Sequence, residues 1–254
     1  MEILILGSGT SHGVPMIGCE CDVCRSPNPR NRRFRPSILV RHGGKAILVD
    51  TTPELRMQAL TYDVRQVDAV LFTHTHADHI MGLDDLRRFN DLSRQEMPVF
   101  GDDETLADIR RIFNYIFRET QEGGGKPRLT LHVVERDFEM FGLRVRSFYV
   151  LHGTLPVLAY RFDDGDRGVA YVTDVSTIPP ESLDLMRGLD VLILDAVRFE
   201  PHATHFGLYQ ALDVIAEVQP RQAYLTHLSH HLDHDKVNAQ LPANVRLAYD
   251  GLVT

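Results

Sequence analysis

The chain has 254 residues, a formal net charge of −8, 43% hydrophobic residues and 24% charged ones. This is ordinary for a soluble globular protein that buries a large core, and layered α/β folds of this length commonly form one unit, here expected over residues 1–254. The acidic balance argues against a general nucleic-acid-binding surface; no apolar run approaches a membrane span and no signal-peptide pattern precedes the first strand, so a cytoplasmic location is expected.

Glu2 to Leu6 reads as a strand, followed by the polar turn Gly7-Ser8-Gly9-Thr10-Ser11-His12-Gly13. Its glycines let backbone N–H groups approach an anion, but the lysine of a P-loop is missing. His12 is expected to serve the turn, with contact to the active site as the alternative. Next comes Cys19-Glu20-Cys21-Asp22-Val23-Cys24. Three cysteines, an odd number, packed this closely suit metal ligation by reduced thiolates better than a disulfide framework, and they supply three of the four ligands of a closed structural zinc. The run Arg30, Arg32, Arg33, Arg35 is expected to be a solvated face, with a phosphate or an RNA backbone as the alternative partner.

Ser37 to Arg41 and Ala46 to Asp50 form two strands around His42-Gly43-Gly44. The apolar run Ala69-Val70-Leu71-Phe72 is a short buried strand that ends in Thr73-His74-Thr75-His76-Ala77-Asp78-His79. A loop held at a strand end turns alternate imidazoles and a carboxylate toward one point, which a single helix could not do at this spacing. Neutral imidazole with carboxylate suits zinc, manganese or iron. Helices follow over Met81 to Asp91 and Asp102 to Phe117, the second with Leu106, Ile109, Ile112, Phe113, Ile116 and Phe117 on one buried face. Glu122 to Pro127 is expected to be a mobile surface loop and a candidate lid.

Strands at Thr130 to Val134 and Leu143 to Val150 lead into Leu151-His152-Gly153, and a hairpin of Val157 to Phe162 with Gly168 to Val172 delivers Thr173-Asp174. Val191 to Asp195 is a further buried strand. His202-Ala203-Thr204-His205 precedes a helix over Gly207 to Val218, and Ala223 to Leu225 runs into Thr226-His227-Leu228-Ser229-His230.

In this order Asp50, the His74, His76, Asp78, His79 stretch, His152, Asp174 and His227 resemble the motifs of the metallo-β-lactamase superfamily. The resemblance implies an α/β fold, an αββα sandwich of two mixed sheets with helices outside and metals at one edge. It further implies that His74, His76 and His152 serve one metal, Asp78 and His79 a second, Asp174 bridges the two and His227 is the last ligand. Asp50 then orients the metal-binding loop by hydrogen bonding, beside or in place of capping, with Thr52, the helix expected from Pro53.

The amino-terminal Gly-Ser-Gly-Thr-Ser, the cysteine knuckle and Thr-His-x-Ser-His are similar to the PhnP-type phosphodiesterases of the carbon–phosphorus lyase pathway. Those enzymes are related to transfer-RNA 3′-processing endonucleases and open cyclic phosphodiesters, including phosphoribosyl 1,2-cyclic phosphate and 2′,3′-cyclic nucleotides. His230, three residues past His227, can face a different site and complete a Cys3His zinc set with Cys19, Cys21 and Cys24. The resemblance makes His205 the proton donor, yet the endonucleases carry His-Ser-Thr where His205 precedes Phe206-Gly207, so His202 is a rival. Only 21 residues separate His152 from Asp174, too few for the tRNA-gripping arm of the endonucleases.

The expectation is a phosphodiesterase with two active-site metals (zinc, manganese or nickel) and one structural zinc, acting on a small cyclic phosphodiester. The metals would bring a bridging water from about pKa 15.7 toward about 7, with Asp174 and Asp78 positioning it. A homodimer is the base-rate expectation, with neither a membrane nor a nucleic acid as partner. An RNA-processing nuclease, a lactonase or thioesterase of the same fold, and a non-enzymatic metal-binding protein are the alternatives.

Overall fold

The computed structural model describes residues 1–118 and 125–254. β1 (Glu2–Gly7), β2 (Ser37–His42), β3 (Lys45–Val49), β4 (Ala69–Leu71), β5 (Met97–Gly101) and β6 (Leu129–Val133) lie side by side in that order. The first three are antiparallel, and β3 to β6 are parallel. The second sheet runs from β7 (Asp137–Met140) through β8 (Leu143–His152), β9 (Leu155–Asp163), β10 (Gly168–Val172), β11 (Val191–Asp195) and β12 (Gln222–Thr226) to β13 (Val245–Leu247). It is antiparallel as far as β10 and parallel beyond. Both sheets are therefore mixed, as expected.

Side chains alternate across a strand, so each sheet has two apolar faces to cover. Ile3 and Ile5 of β1 join Val49, Leu71, Val145, Tyr160, Tyr171 and Ile193 in a core between the sheets. Leu4 and Leu6, one register out, pack instead with Leu55 of α1 (Leu55–Thr61), with Ile80 of α2 (Ala77–Ile80), and with Leu86 and Phe89 of α3 (Leu86–Ser93). The same cluster takes in α4 (Asp103–Ile112) and α5 (Asn114–Phe117) through Leu106, Ile109 and Ile116. After α6 (Pro180–Leu185), α7 (Leu208–Val218) and α8 (His234–Asn238) cover the outer face of the second sheet with Leu208, Ala211, Ile215 and Val237. The result is four layers, helix, sheet, sheet, helix.

Several local expectations need correction. The helix expected over Met81 to Asp91 is broken: α2 already begins at Ala77, a 3-10 turn spans Leu83–Asp85, and α3 starts at Leu86. Gly82 causes the break, because its N–H donates to the Thr51 carbonyl at 2.9 Å and a Cβ there would stand 1.9 Å from the Thr52 carbonyl oxygen. The helix over Asp102 to Phe117 is likewise two, divided at the buried Phe113. α1 starts at Leu55 and not at Pro53, and neither Asp50 nor Thr52 is its N-cap.

The arginine run is only partly a solvated face: Arg30 and Arg32 are exposed, whereas Arg33 is buried and Arg35 half-buried. Arg33 is 3% exposed and donates to the carbonyls of Ser229 (2.7 Å) and Leu232 (2.6 Å). Arg35 donates to the Ser11 carbonyl and pairs with Glu54, while Arg30 lies over the Tyr249 ring. Buried carbonyls need donors, and the Arg33 guanidinium supplies two of them. The first half of the expected loop at Glu122 to Pro127 lies outside the described residues. No helix among the described residues is long and apolar enough to cross a membrane.

Candidate metal centre and active site

The site is assembled where the two sheets meet. The Tyr160 hydroxyl donates to the Phe72 carbonyl at 2.6 Å and the Leu158 N–H to the Thr73 carbonyl at 3.0 Å, so β9 of the second sheet pins the residues that enter the histidine motif of the first. His74 then follows in the loop and His76 in extended backbone as the N-cap of α2, whereas Asp78 and His79 sit on the single turn of α2. Loop and helix share the motif, which corrects the loop-only expectation: the helical turn brings Asp78 and His79 round to the side that His74 faces.

Asp50, Asp174 and His227 share an unusual backbone. Each follows a strand end with positive φ, at 65°, 54° and 59°. Such conformations cost of order 1–3 kcal/mol in non-glycine residues and concentrate at functional positions. Here they turn three polar side chains back toward one point from three different strands.

Asp50 is fully buried, accepting from the Thr73 N–H at 2.9 Å, from the Thr73 hydroxyl at 2.8 Å and facing His79 Nδ1 at 2.8 Å. The Nδ1 side of His79 is thus committed, and its Nε2 points at Asp174 Oδ2 (3.2 Å) and Asp78 Oδ2 (3.4 Å). His227 Nδ1 approaches the same Asp174 oxygen at 3.4 Å. One atom from each of His79, Asp174 and His227 lies within 4.8 Å of the others, as do atoms of His74, His76 and Asp174. Asp174 is common to both triads. The His152 ring stands 5.2 Å from that of His76 and 5.9 Å from that of His74, and its Nδ1 is tied to the Thr204 carbonyl at 2.7 Å.

His74 Nε2 and His79 Nε2 are buried with no hydrogen-bond partner. Orphaned nitrogens beside two carboxylates are costly unless a cation takes their lone pairs, so the donor set fits divalent metals of the imidazole- and carboxylate-binding class. The charges agree. Burial pushes the Asp174 carboxyl up, but the His227, His79 and His74 imidazoles overcome it and hold it well below the usual carboxylate range. Burial pulls His79 down, yet Asp174, Asp78 and Asp50 raise it well above an ordinary imidazole. His74, with burial dominant and His79 beside it, is pushed well down.

His205 enters from the loop before α7. Its ring stacks on His227 at 4.7 Å and meets His152 at 4.5 Å, while its Nδ1 is 2.8 Å from Asp195 Oδ2. Asp195 ends β11 and also accepts the Val175 N–H at 3.0 Å. Asp195 carries the same sequence signal as Asp50, an acid closing an apolar strand. His202 is exposed, with Nδ1 accepting from the Thr204 N–H at 3.3 Å, and its ring is 5.2 Å from that of His205. His12 is also exposed; its backbone N–H, not its ring, makes the turn contact, donating to Thr10 Oγ1 at 3.3 Å, and its side chain lines the cleft beside His205.

A second cluster lies one turn of loop away. His230 Nδ1 is 3.2 Å from Cys19 Sγ and 3.3 Å from Cys21 Sγ, and with Cys24 the four ligand atoms lie within 4.8 Å of one another. The Cys24 N–H and the His230 ring bring the Cys21 thiol down to about 6 against the opposing effect of burial, favouring the thiolate that ligates metal. The loop carrying His227 and His230 is held from both sides: Leu228 exchanges hydrogen bonds with Ser8 (2.8 Å) and Thr10 (3.3 Å), and Arg33 grips Ser229 and Leu232.

Comparison with known proteins agrees with this geometry. Residues 45–228 match the beta-lactamase superfamily domain. A crystallised diphosphatase of the PhnP family has a TM-score of 0.92 at 41% identity, covering 100% of this chain and 96% of that one. Ribonuclease Z of Mycobacterium sp. (strain KMS) is 32% identical over 78% of this chain and 69% of its own length. An octanoyltransferase of Porphyromonas gingivalis is 37% identical over 99% of this chain, but the chain spans only about half, 51%, of that protein. On its matched domain, its layered fold and its likeness to the diphosphatase, this chain belongs to the beta-lactamase superfamily and is a metal-dependent hydrolase.

Proposed function

We propose that the protein is a dinuclear-metal phosphodiesterase that opens a small cyclic phosphodiester, such as phosphoribosyl 1,2-cyclic phosphate or a 2′,3′-cyclic nucleotide. The observation that carries this reading is His205: an imidazole backed by a buried carboxylate, grouped with His152 and Asp174 beside the two other triads that share Asp174. Hydrolysis of a phosphodiester needs both elements, cations for the phosphoryl oxygens and an acid for the departing alkoxide.

His74, His76 and His152 would hold one metal, Asp78, His79 and His227 the other, with Asp174 between them; zinc, manganese and nickel all suit these donors. Metals there supply Lewis acidity and bring water from about pKa 15.7 toward about 7. Asp78 and Asp174 orient the attacking water, and Asp50, through His79 Nδ1, holds the opposite nitrogen on target. His205 gives a proton from Nε2 to the leaving oxygen while Asp195 stabilises the imidazolium through Nδ1. The four knuckle ligands would bind one structural zinc.

An RNA-processing nuclease is the second reading, favoured by the ribonuclease Z relative. Against it stand the net charge of −8 and the β9–β10 hairpin, which takes up most of the interval between His152 and Asp174. Bis-p-nitrophenyl phosphate, phosphoribosyl 1,2-cyclic phosphate, 2′,3′-cyclic AMP and an unprocessed tRNA, assayed with each metal, separate the two. Opening of a cyclic phosphate with an inert tRNA is expected. Turnover of none would overturn the reading and direct attention to lactones, thioesters and carboxylic esters.

A further inference from the structure

Thr73 follows β4 by two residues, and its backbone is held on both sides: the N–H donates to Asp50 Oδ1 at 2.9 Å, and the carbonyl accepts the Leu158 N–H at 3.0 Å. A β-branched side chain on a fixed backbone has little rotamer freedom, so the Thr73 hydroxyl is fixed as well; the residue is 1% exposed. Three polar atoms surround that hydroxyl: Asp50 Oδ2 at 2.8 Å, His74 Nδ1 at 3.0 Å and His79 Nδ1 at 3.4 Å.

A hydroxyl has one proton to give and two lone pairs to offer. A carboxylate only accepts, so the Thr73 proton goes to Asp50 Oδ2, and the hydroxyl oxygen is left as the acceptor facing His74 Nδ1. His74 then carries its proton on Nδ1, and its lone pair falls on Nε2, the nitrogen that is buried without a hydrogen-bond partner. His79 reaches the same state by direct contact: its Nδ1 lies 2.8 Å from Asp50 Oδ2, and its Nε2 is the other orphaned ring nitrogen. The two rings belong to different triads, His74 with His76 and Asp174, His79 with Asp174 and His227. One oxygen of Asp50 therefore stands behind a ligand of each.

We propose that Thr73 is a positioning residue whose hydroxyl extends the hold of Asp50 from His79 to His74, so that one buried carboxylate sets the ring tautomer of a ligand in each metal triad. The proposal rests on the two-metal assignment and holds whichever ester is cleaved. Without the hydroxyl the His74 ring is free to turn and to carry its proton on Nε2, which closes that nitrogen to a metal, while His79 keeps its own contact with Asp50.

The test compares wild type with Thr73→Val, which keeps the branched shape, and Thr73→Ser, which keeps the hydroxyl. Zinc titration against a chromophoric chelator gives the active-site affinities, and long-range proton–nitrogen correlation spectra of the zinc-loaded proteins show which nitrogen of each ring carries the proton. In the wild type, His74 and His79 should both be protonated on Nδ1. Thr73→Val should bind one active-site zinc about tenfold to hundredfold more weakly and leave the other unchanged, and Thr73→Ser should restore the loss. Weakening of neither zinc, equal weakening of both, no recovery in Thr73→Ser, or a wild-type His74 protonated on Nε2 overturns the proposal. If the wild type takes up fewer than two zinc ions besides that of the knuckle, the two-metal assignment has failed and the spectra judge Thr73 alone: a His74 Nδ1 proton present in wild type and Thr73→Ser but lost in Thr73→Val upholds its role, and the same spectrum in all three overturns it.

Discussion

His205 Nδ1 lies 2.8 Å from Asp195 Oδ2, a carboxylate with no solvent exposure at the end of β11. The pairing leaves one nitrogen of His205 for chemistry and directs it toward the carboxylate shared by both metal triads. We expect His205→Ala to lose about 10²–10⁴ in kcat on a phosphodiester, the usual worth of a general acid. Because His205 also lies with His152 and Asp174 within 4.8 Å, metal analysis of the variant is the decisive companion measurement. Full active-site metal content identifies a proton donor; loss of a metal identifies a ligand. His202→Ala should leave kcat on bis-p-nitrophenyl phosphate within about tenfold of wild type, since no buried carboxylate backs it.

Asp195→Asn keeps an acceptor for the Val175 N–H but cannot stabilise an imidazolium. A drop of about 10- to 100-fold in kcat with KM nearly constant is expected, the common size for loss of a supporting carboxylate. A variant as fast as wild type would remove Asp195 from the mechanism.

Asp50 touches no substrate in this reading, yet three of its contacts converge on the histidine motif. Asp50→Ala should weaken metal binding by about 10- to 100-fold, measured by competition with a chelator. Unchanged affinity would reduce Asp50 to a packing role.

At the knuckle, Cys21→Ala should release one zinc per chain and cost folding more than chemistry, because structural zinc supplies on the order of 10 kcal/mol. Thermal denaturation and zinc analysis together check this. Normal values for both would refute the assignment of Cys19, Cys21, Cys24 and His230.

Arg33→Met removes the donors to the Ser229 and Leu232 carbonyls from a 3% exposed position. With unsatisfied buried carbonyls costing about 1–3 kcal/mol, a loss of about 3 kcal/mol is expected, or about 6–12 °C in Tm for a chain of this size. Because Arg33 holds the loop between His227 and His230, zinc affinity at the knuckle should fall with it; a stability loss with intact zinc affinity would separate the two roles.

What the sequence by itself determined is what depends on near neighbours along the chain. The apolar run Ile3 to Leu6 marked a strand, and His74, His76, Asp78 and His79 fell into one cluster because strand, loop and helical turn follow one another without interruption. Asp50, Asp174 and His227 were singled out by the order of motifs that resembles the superfamily, each at or just past the end of an apolar strand. The breaks at Gly82 and Phe113 were not, since a helix pattern carries no sign of the Thr52 backbone that Gly82 must approach. Only the tertiary structure decided which distant groups meet: Asp195 with His205 and Arg33 with Ser229. Those encounters depend on the order in which strands join a sheet. A buried polar atom takes its partner from whatever the sheet order brings within about 3 Å, however many residues lie between them in the chain.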